Sequence, residues 1–238
     1  MEEILRKRLF NWYQNNKRKL PWRESSNPYL IWLSEIILQQ TRIEQGLPYY
    51  VDFTRKYPNI FSLANAYEQE VLNLWQGLGY YTRARNLHAT AKKVAFEMEG
   101  NFPDNYEGLK KLKGIGDYTA SAISSIAFDE ARPVIDGNVA RVIARVYGIQ
   151  QPINSTEGQK AIREKALQLL DPYQPGDFNQ AMMDFGALQC TPQKPLCLNC
   201  PWYDRCYAAK NGLAEKLPIK EKNLQKRISG TTFTTFHS

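Results

Sequence analysis

Four cysteines, Cys190, Cys197, Cys200 and Cys206, are the only ones in the chain, and they fall in one short stretch with the spacing C-x6-C-x2-C-x5-C. Four thiolates drawn together this tightly can enclose one compact inorganic centre, either an iron–sulfur cluster or a structural zinc. Zinc ribbons usually carry two C-x2-C knuckles held apart by a longer spacer, and here there is one knuckle. Pro192, Pro195 and Pro201 keep the segment out of continuous helix, as a ligand loop requires. The pattern favours an iron–sulfur cluster over zinc, with disulfides last. The N-terminus MEEILRKRLFNWYQ has acids and no apolar signal core. A chain kept in the cytoplasm keeps its thiols reduced.

Two acids stand apart from the others. Glu35 lies in IWLSEIILQQT, hemmed by Trp32, Leu33, Ile36, Ile37 and Leu38. If that face is buried, desolvation raises its pKa and leaves it a proton to donate. Periodicity alone reads otherwise, since Glu35, Gln39 and Arg42 fall on one side of a helix, as a solvent face would. Asp136 lies in PVIDGNVARVIARVYG, just before a helix, where Asp is a preferred N-cap. A helix N-terminus also favours the ionised carboxylate. One acid that holds its proton and one that stays ionised is the arrangement glycoside cleavage uses.

The elements that must position these groups read as helices. An amphipathic stretch covers 2–16. Asn27-Pro28 reads as N-cap and first helical residue, opening a helix from about Tyr29 to Thr41. Further helices are expected over 46–56, 60–65, 68–76, 82–99, 105–111, 117–127, 138–147, 157–170 and 176–188. Only the tail RISGTTFTTF is rich enough in Thr and Phe to favour a strand. Between two of these helices, LKGIGDYTA places Gly114 and Gly116 around Ile115. Glycines let the backbone approach a ligand closely, and amides at the following helix start can hold a phosphate. Lys110, Lys111 and Lys113 add charge. An ordinary tight turn would use the same residues, but the pattern fits a helix-hairpin-helix gripping a DNA backbone without reading sequence.

Bulk properties agree. With 43% apolar residues the chain is globular, and no apolar run approaches a membrane span. A net charge of +7 points to a polyanion, of which nucleic acid is the commonest.

Taken together, the hairpin, the following Asp and the cysteine loop resemble the endonuclease III superfamily of DNA glycosylases, over about residues 1–213. Within it LPWR, WLSEIILQQT, GLGYYTRARNLH, DGNVARV and FNQAMMDFGALQC resemble the MutY-type adenine DNA glycosylases. The resemblance implies an all-α helix-hairpin-helix glycosylase fold with two helical subdomains flanking a base-binding cleft. Residues 21–130 would form the hairpin-bearing subdomain, and 1–20 with 131–213 the subdomain of a [4Fe-4S] cluster. Residues 214–238 would be a linker and the start of a C-terminal Nudix-like domain that the chain lacks, which would weaken discrimination for 8-oxoguanine.

The implied activity is base excision repair on double-stranded DNA, by a monomer associated with the nucleoid. Adenine opposite 8-oxoguanine or guanine would be flipped into the cleft and hydrolysed from its sugar. Glu35 would protonate adenine N7 and later serve as base, and Asp136 would stabilise the oxocarbenium-like sugar. Asn138 and Tyr118 would orient Asp136 and water. Trp22, Arg23 and Gln180 would line the adenine pocket. Gln40, Thr41, Leu78 and Tyr80 would wedge into the duplex, and Arg83 and Arg85 would touch phosphates. Lyases of the superfamily carry Lys where this chain has Tyr118, and a phenol forms no Schiff base. Ala140 likewise replaces a Lys found in some relatives. Removal of the base without strand cleavage is therefore expected. His88 reads as a structural hydrogen-bonder. The alternatives are an endonuclease III-like glycosylase and lyase for oxidised pyrimidines, or a non-catalytic iron–sulfur DNA-binding protein.

Overall fold

The computed structural model describes residues 1–221. The tail strand expected within 227–236, and His237, lie outside the described residues. Among the described residues every regular element is helical. The first lobe's helices are α2 (Pro28–Ile37), α3 (Ile43–Lys56), α4 (Ile60–Ala64), α5 (Glu68–Leu74), α6 (Thr82–Lys92), α7 (Tyr106–Leu109) and α8 (Asp117–Phe128). Before them comes α1 (Glu2–Asn16), and after them α9 (Gly137–Tyr147), α10 (Thr156–Leu169), α11 (Pro175–Asp184) and α12 (Tyr207–Lys210).

Local chemistry sets the helix ends. The Asn27 side chain accepts the Tyr29 amide at 2.9 Å, and Pro28 supplies a pre-set φ at the first position. The same helix stops at Ile37, short of the expected Thr41, because the chain turns left-handed at Gln40 (φ +56°). Two long helices finish in π-helical turns, Lys93–Glu97 after α6 and Phe185–Gln189 after α11. The second delivers Cys190 to the cysteine loop. The single turn α12 was not expected, since four residues beside the last cysteine carry no periodicity to read.

Two apolar cores form. One gathers Trp32, Phe53, Leu63 and Trp75 among residues 20–123. The other joins Leu5 and Leu9 of α1 to Val142, Ile143, Phe185 and Trp202. Trp32, Trp75 and Trp202 are fully enclosed, so truncating any of them to alanine costs about 3–5 kcal/mol. The chain crosses between the cores in the segment after α1, and α8 packs against both α2 and α11. A cleft opens along this seam. Residues 214–221, expected to lead away from the body, are instead tied to it. Leu217 is buried, the Ile153 amide donates to the Ile219 carbonyl at 2.9 Å, and the Glu221 amide to Asn154 Oδ1 at 2.9 Å.

Candidate active site

The seam encloses a cleft of about 750 Å³, and Glu35, Tyr118, Asp136, Asn138, Trp22, Arg23 and Gln180 all line it. That volume suits a base-sized ligand with room to spare. Glu35 is the one acid of α2, a helix otherwise buried nearly all round. Its face, which periodicity assigned to open solvent, forms part of the cleft wall, with α8 packed against α2. Burial pushes the Glu35 carboxyl up to about 7; a hydrogen bond from Tyr118 opposes this, the charge of Asp136 adds to it, and Arg23 opposes it. Tyr118 reaches this spot because the hairpin starts α8 beside α2, and its hydroxyl oxygen lies 3.5 Å from Met183 Sδ.

Asp136 caps α9. Its Oδ1 accepts the Val139 amide at 2.7 Å and its Oδ2 accepts Asn138 Nδ2 at 2.8 Å. Both oxygens thus receive N–H donors, which fix the orientation of the carboxyl group in the cleft. The Asn138 amide is held in this sense by Arg141, which donates to Asn138 Oδ1 at 2.8 Å. Arg141 also donates to the carbonyls of Gly186 (2.7 Å) and Cys190 (2.9 Å). Gly186 must be small, since a Cβ there would stand 2.7 Å from the Asn138 Cβ. Thus the π-helical turn leading to Cys190 buttresses the residue that holds Asp136. Sequence reasoning missed Arg141, Gly186, Met183, Arg18 and Asp184. All but Arg18 lie inside segments quoted above for their resemblance, DGNVARV and FNQAMMDFGALQC, but residue type gave no role to any of them, because their partners come mostly from other parts of the chain.

At the hairpin, Gly114 takes φ +81° with its Cα against Asn86, and Ile115 is buried. Gly116 has φ −91°, and a Cβ there would meet nothing in the chain. The chain's own packing gives no reason for glycine at 116, which leaves open backbone facing outward. Lys110 is paired with Asp117 at 2.6 Å, so its charge at the hairpin is offset.

The expected wedge residues separate. Gln40 and Tyr80 are exposed, each with left-handed backbone (φ +56° and +47°), and Gln40 and Thr41 lie at the cleft rim. Leu78 is instead buried in the first core, so it presents no side chain to a ligand. Arg85 is exposed and stands 3.8 Å from Glu68. Arg83, expected on a phosphate, turns inward. Its guanidinium donates to the carbonyls of Ile36, Ile37 and Gln39 on one segment and of Leu78 and Gly79 on another, and lies over the Trp75 ring at 5.1 Å. These carbonyls end α2 and form the glycine turn, where no intrahelical donor is available. Arg83→Leu should therefore lower stability by about 2–4 kcal/mol. The check is a denaturant midpoint at unchanged slope, and a midpoint equal to wild type would refute the inward role. His88 is buried, and its pKa is lowered chiefly by that burial, as for a structural imidazole.

Cys190, Cys197, Cys200 and Cys206 line one chamber together with Phe185, Trp202 and Arg145. Arg145 donates to Cys190 Sγ at 3.3 Å and to the carbonyls of Thr191 (2.6 Å) and Pro192 (3.0 Å). Four thiols converging on one chamber form a donor set that either an iron–sulfur cluster or a zinc could take. No helix among the described residues is long and apolar enough to cross a membrane.

Comparison with known proteins places this geometry in context. The iron–sulfur binding domain of endonuclease III matches residues 190–206, the stretch that holds all four cysteines, which supports a [4Fe-4S] cluster. The adenine DNA glycosylase of Homo sapiens is 45% identical over 218 residues, 88% of this chain and 40% of that protein. That of Buchnera aphidicola subsp. Schizaphis graminum is 42% identical over 90% of this chain and 62% of its own length. The chain thus spans about two-fifths to three-fifths of these relatives. A solved thermostable thymine-DNA glycosylase superposes with a TM-score of 0.80 at 28% identity, covering 88% of this chain and 97% of that one. A trapped endonuclease III–DNA intermediate shares the fold with a TM-score of 0.72 at 19% identity, covering 90% of this chain and 99% of that one. The family of HhH-GPD superfamily base excision DNA repair proteins matches residues 33–172, more than half of the sequence, and the chain belongs to that superfamily.

Proposed function

We propose that this chain removes adenine from double-stranded DNA in which adenine faces 8-oxoguanine or guanine, acting as a hydrolase of the N-glycosidic bond. The observation that carries the reading is the pairing, in one cleft, of an acid able to hold a proton at neutral pH with a carboxylate fixed by two N–H donors. Relatives named adenine DNA glycosylases support the choice of base. The target nucleotide is turned out of the stack, as access to the bond requires. Open backbone at Gly116 meets the phosphate chain, and Tyr80 and Gln40 fill the space left behind. Glu35 then protonates the leaving purine, and Asp136 faces the positive charge that builds on the sugar. Tyr118, in the place of a lyase lysine, holds the two acids apart and forms no bond to the sugar. Cys190, Cys197, Cys200 and Cys206 would hold the cluster, which supplies a cross-link for the loop. The protein would work as a monomer in the cytoplasm, on the nucleoid.

Single-turnover release from duplexes with adenine opposite 8-oxoguanine, guanine or thymine tests the reading. Release from the first two without the third supports it. No release from any duplex, with DNA binding intact, would favour a binding protein instead. The rate should also depend on pH with a definite sign. Glu35 is protonated below its pKa of about 7 and ionised above it. The acid form is therefore lost as pH rises, and release should fall about tenfold per pH unit well above 7. A rate that is flat between about pH 6 and 9 would exclude Glu35 as the acid.

A further inference from the structure

Asp184 is fully buried at the end of α11, beside Met183 on the cleft wall. A buried carboxylate needs partners, and it has two arginines from the crossover segment. Arg23 donates to both oxygens, at 2.6 and 2.9 Å. Arg18 donates its backbone amide at 3.0 Å and its Nε at 2.7 Å. Burial alone would raise the Asp184 pKa, but Arg23 and then Arg18 hold it below the usual carboxylate range. Both arginines line the cleft that contains Glu35. The Arg23 side chain is only 11% exposed, against 29% for Arg18, so water screens its charge less.

We propose that Asp184 is a positioning residue for the cleft: it fixes the Arg23 guanidinium against α11 and offsets its charge, so that Glu35 works beside an ion pair and not a free cation. The inference rests on the reading of Glu35 as the acid. The groups that act on Glu35 are Tyr118 from α8, Asp136 from the start of α9 and Arg23 from the crossover, while Arg18, Arg42 and Glu44 line the same cleft. Among the groups that shift Glu35, Arg23 is the cation, and it acts to ionise Glu35. With Asp184 intact the guanidinium is held by both forks and its field is partly cancelled. With a neutral amide in its place, Arg23 and Arg18 would both stand uncompensated on the cleft wall.

The test is the pH profile of single-turnover adenine release from an adenine·8-oxoguanine duplex, with iron content and circular dichroism as controls of folding. In Asp184→Asn the alkaline limb should move down by about one pH unit. Release would then fall roughly ninefold at pH ~8 but only about twofold at pH ~6. Asp184→Glu, which keeps the charge, should return the limb to its wild-type midpoint. Arg23→Gln should move the limb the other way, upward, and decides the matter if Asp184→Asn fails to fold. A uniform loss of rate at every pH in Asp184→Asn, with the midpoint unmoved, would reduce Asp184 to a structural role and overturn the proposal. An Arg23→Gln midpoint at or below wild type would do the same. If the wild-type profile has no alkaline limb, the assignment of Glu35 falls first and takes this proposal with it, a result separable because it needs no variant at position 184 or 23.

Discussion

Glu35→Gln is expected to cut adenine release by about 10³-fold or more while leaving DNA binding and the iron content at wild-type levels. The amide keeps the shape of the side chain and can still accept from Tyr118, but it has no proton of useful acidity to give the purine. General acid catalysis contributes about 10²–10⁴-fold, and Glu35 is asked to act twice, as acid on the base and then as base on water. The variant should not unfold. Glu35 is the one charged group on a largely apolar and mostly buried helix, so neutralising it removes a desolvation cost. Its thermal midpoint should equal or exceed that of wild type. Mispair binding at wild-type affinity with lost release would separate the enzyme reading from a binding protein. Release within threefold of wild type would refute the mechanism.

Much of this arrangement was legible in local sequence, and the remainder was not, for a physical reason. The cysteine loop was legible because its ligands lie within one short segment, where spacing alone limits the possible centres. The helix starts at Asn27-Pro28 and Asp136 were legible because capping is a contact over two or three residues. The environment of Glu35 was not. Its helix periodicity pointed to solvent, and only the placement of α8 across α2 turned that face into a cleft wall. Arg83 shows the same limit. Its segment resembled a DNA-contacting one, yet the side chain's direction is set by carbonyls at 36–39, more than forty residues away. Asp184 lies in a segment quoted for its resemblance, yet its role could not be read there, since its partners stand 161 and 166 residues away. The two segments with left-handed backbone at Gln40 and Tyr80 were named as motifs, but their strain could not be read from residue type.

α9 connects these features, and it does so along its length. Its first residues cap and orient Asp136, its second turn carries Arg141, and its third carries Arg145. The two arginines lie four apart, so they project from the same face. Both donate to the Cys190 carbonyl, at 2.9 and 3.3 Å. The helix that sets the carboxylate therefore also anchors the entrance of the cysteine loop.

The largest effect on folding is expected at Arg145. This side chain is 2% exposed, yet it is a cation, and its donors reach the carbonyls of Cys190, Thr191, Pro192 and Leu217 as well as Cys190 Sγ. Arg145→Met fits the volume and removes the charge, but leaves the carbonyl oxygens of Thr191, Pro192 and Leu217 without that donor, while Cys190 keeps only Arg141. Each unpaired buried group costs about 1–3 kcal/mol, and breaking a buried charged network about 3–5 kcal/mol in all. The carbonyls belong to the loop that carries Cys190 and to the segment at Leu217, so both should loosen together. For a chain of this size the thermal midpoint should fall by roughly 10 °C, and purified protein should contain well under half the wild-type iron. Arg145→Lys should recover little, because an ammonium cannot reproduce five donors in a fixed fork. Arg141→Met separates stability from chemistry: it should weaken adenine release through Asn138 while retaining most of the iron. If Arg145→Met held wild-type iron and melted within about 2 °C of wild type, the guanidinium would not be what secures the loop.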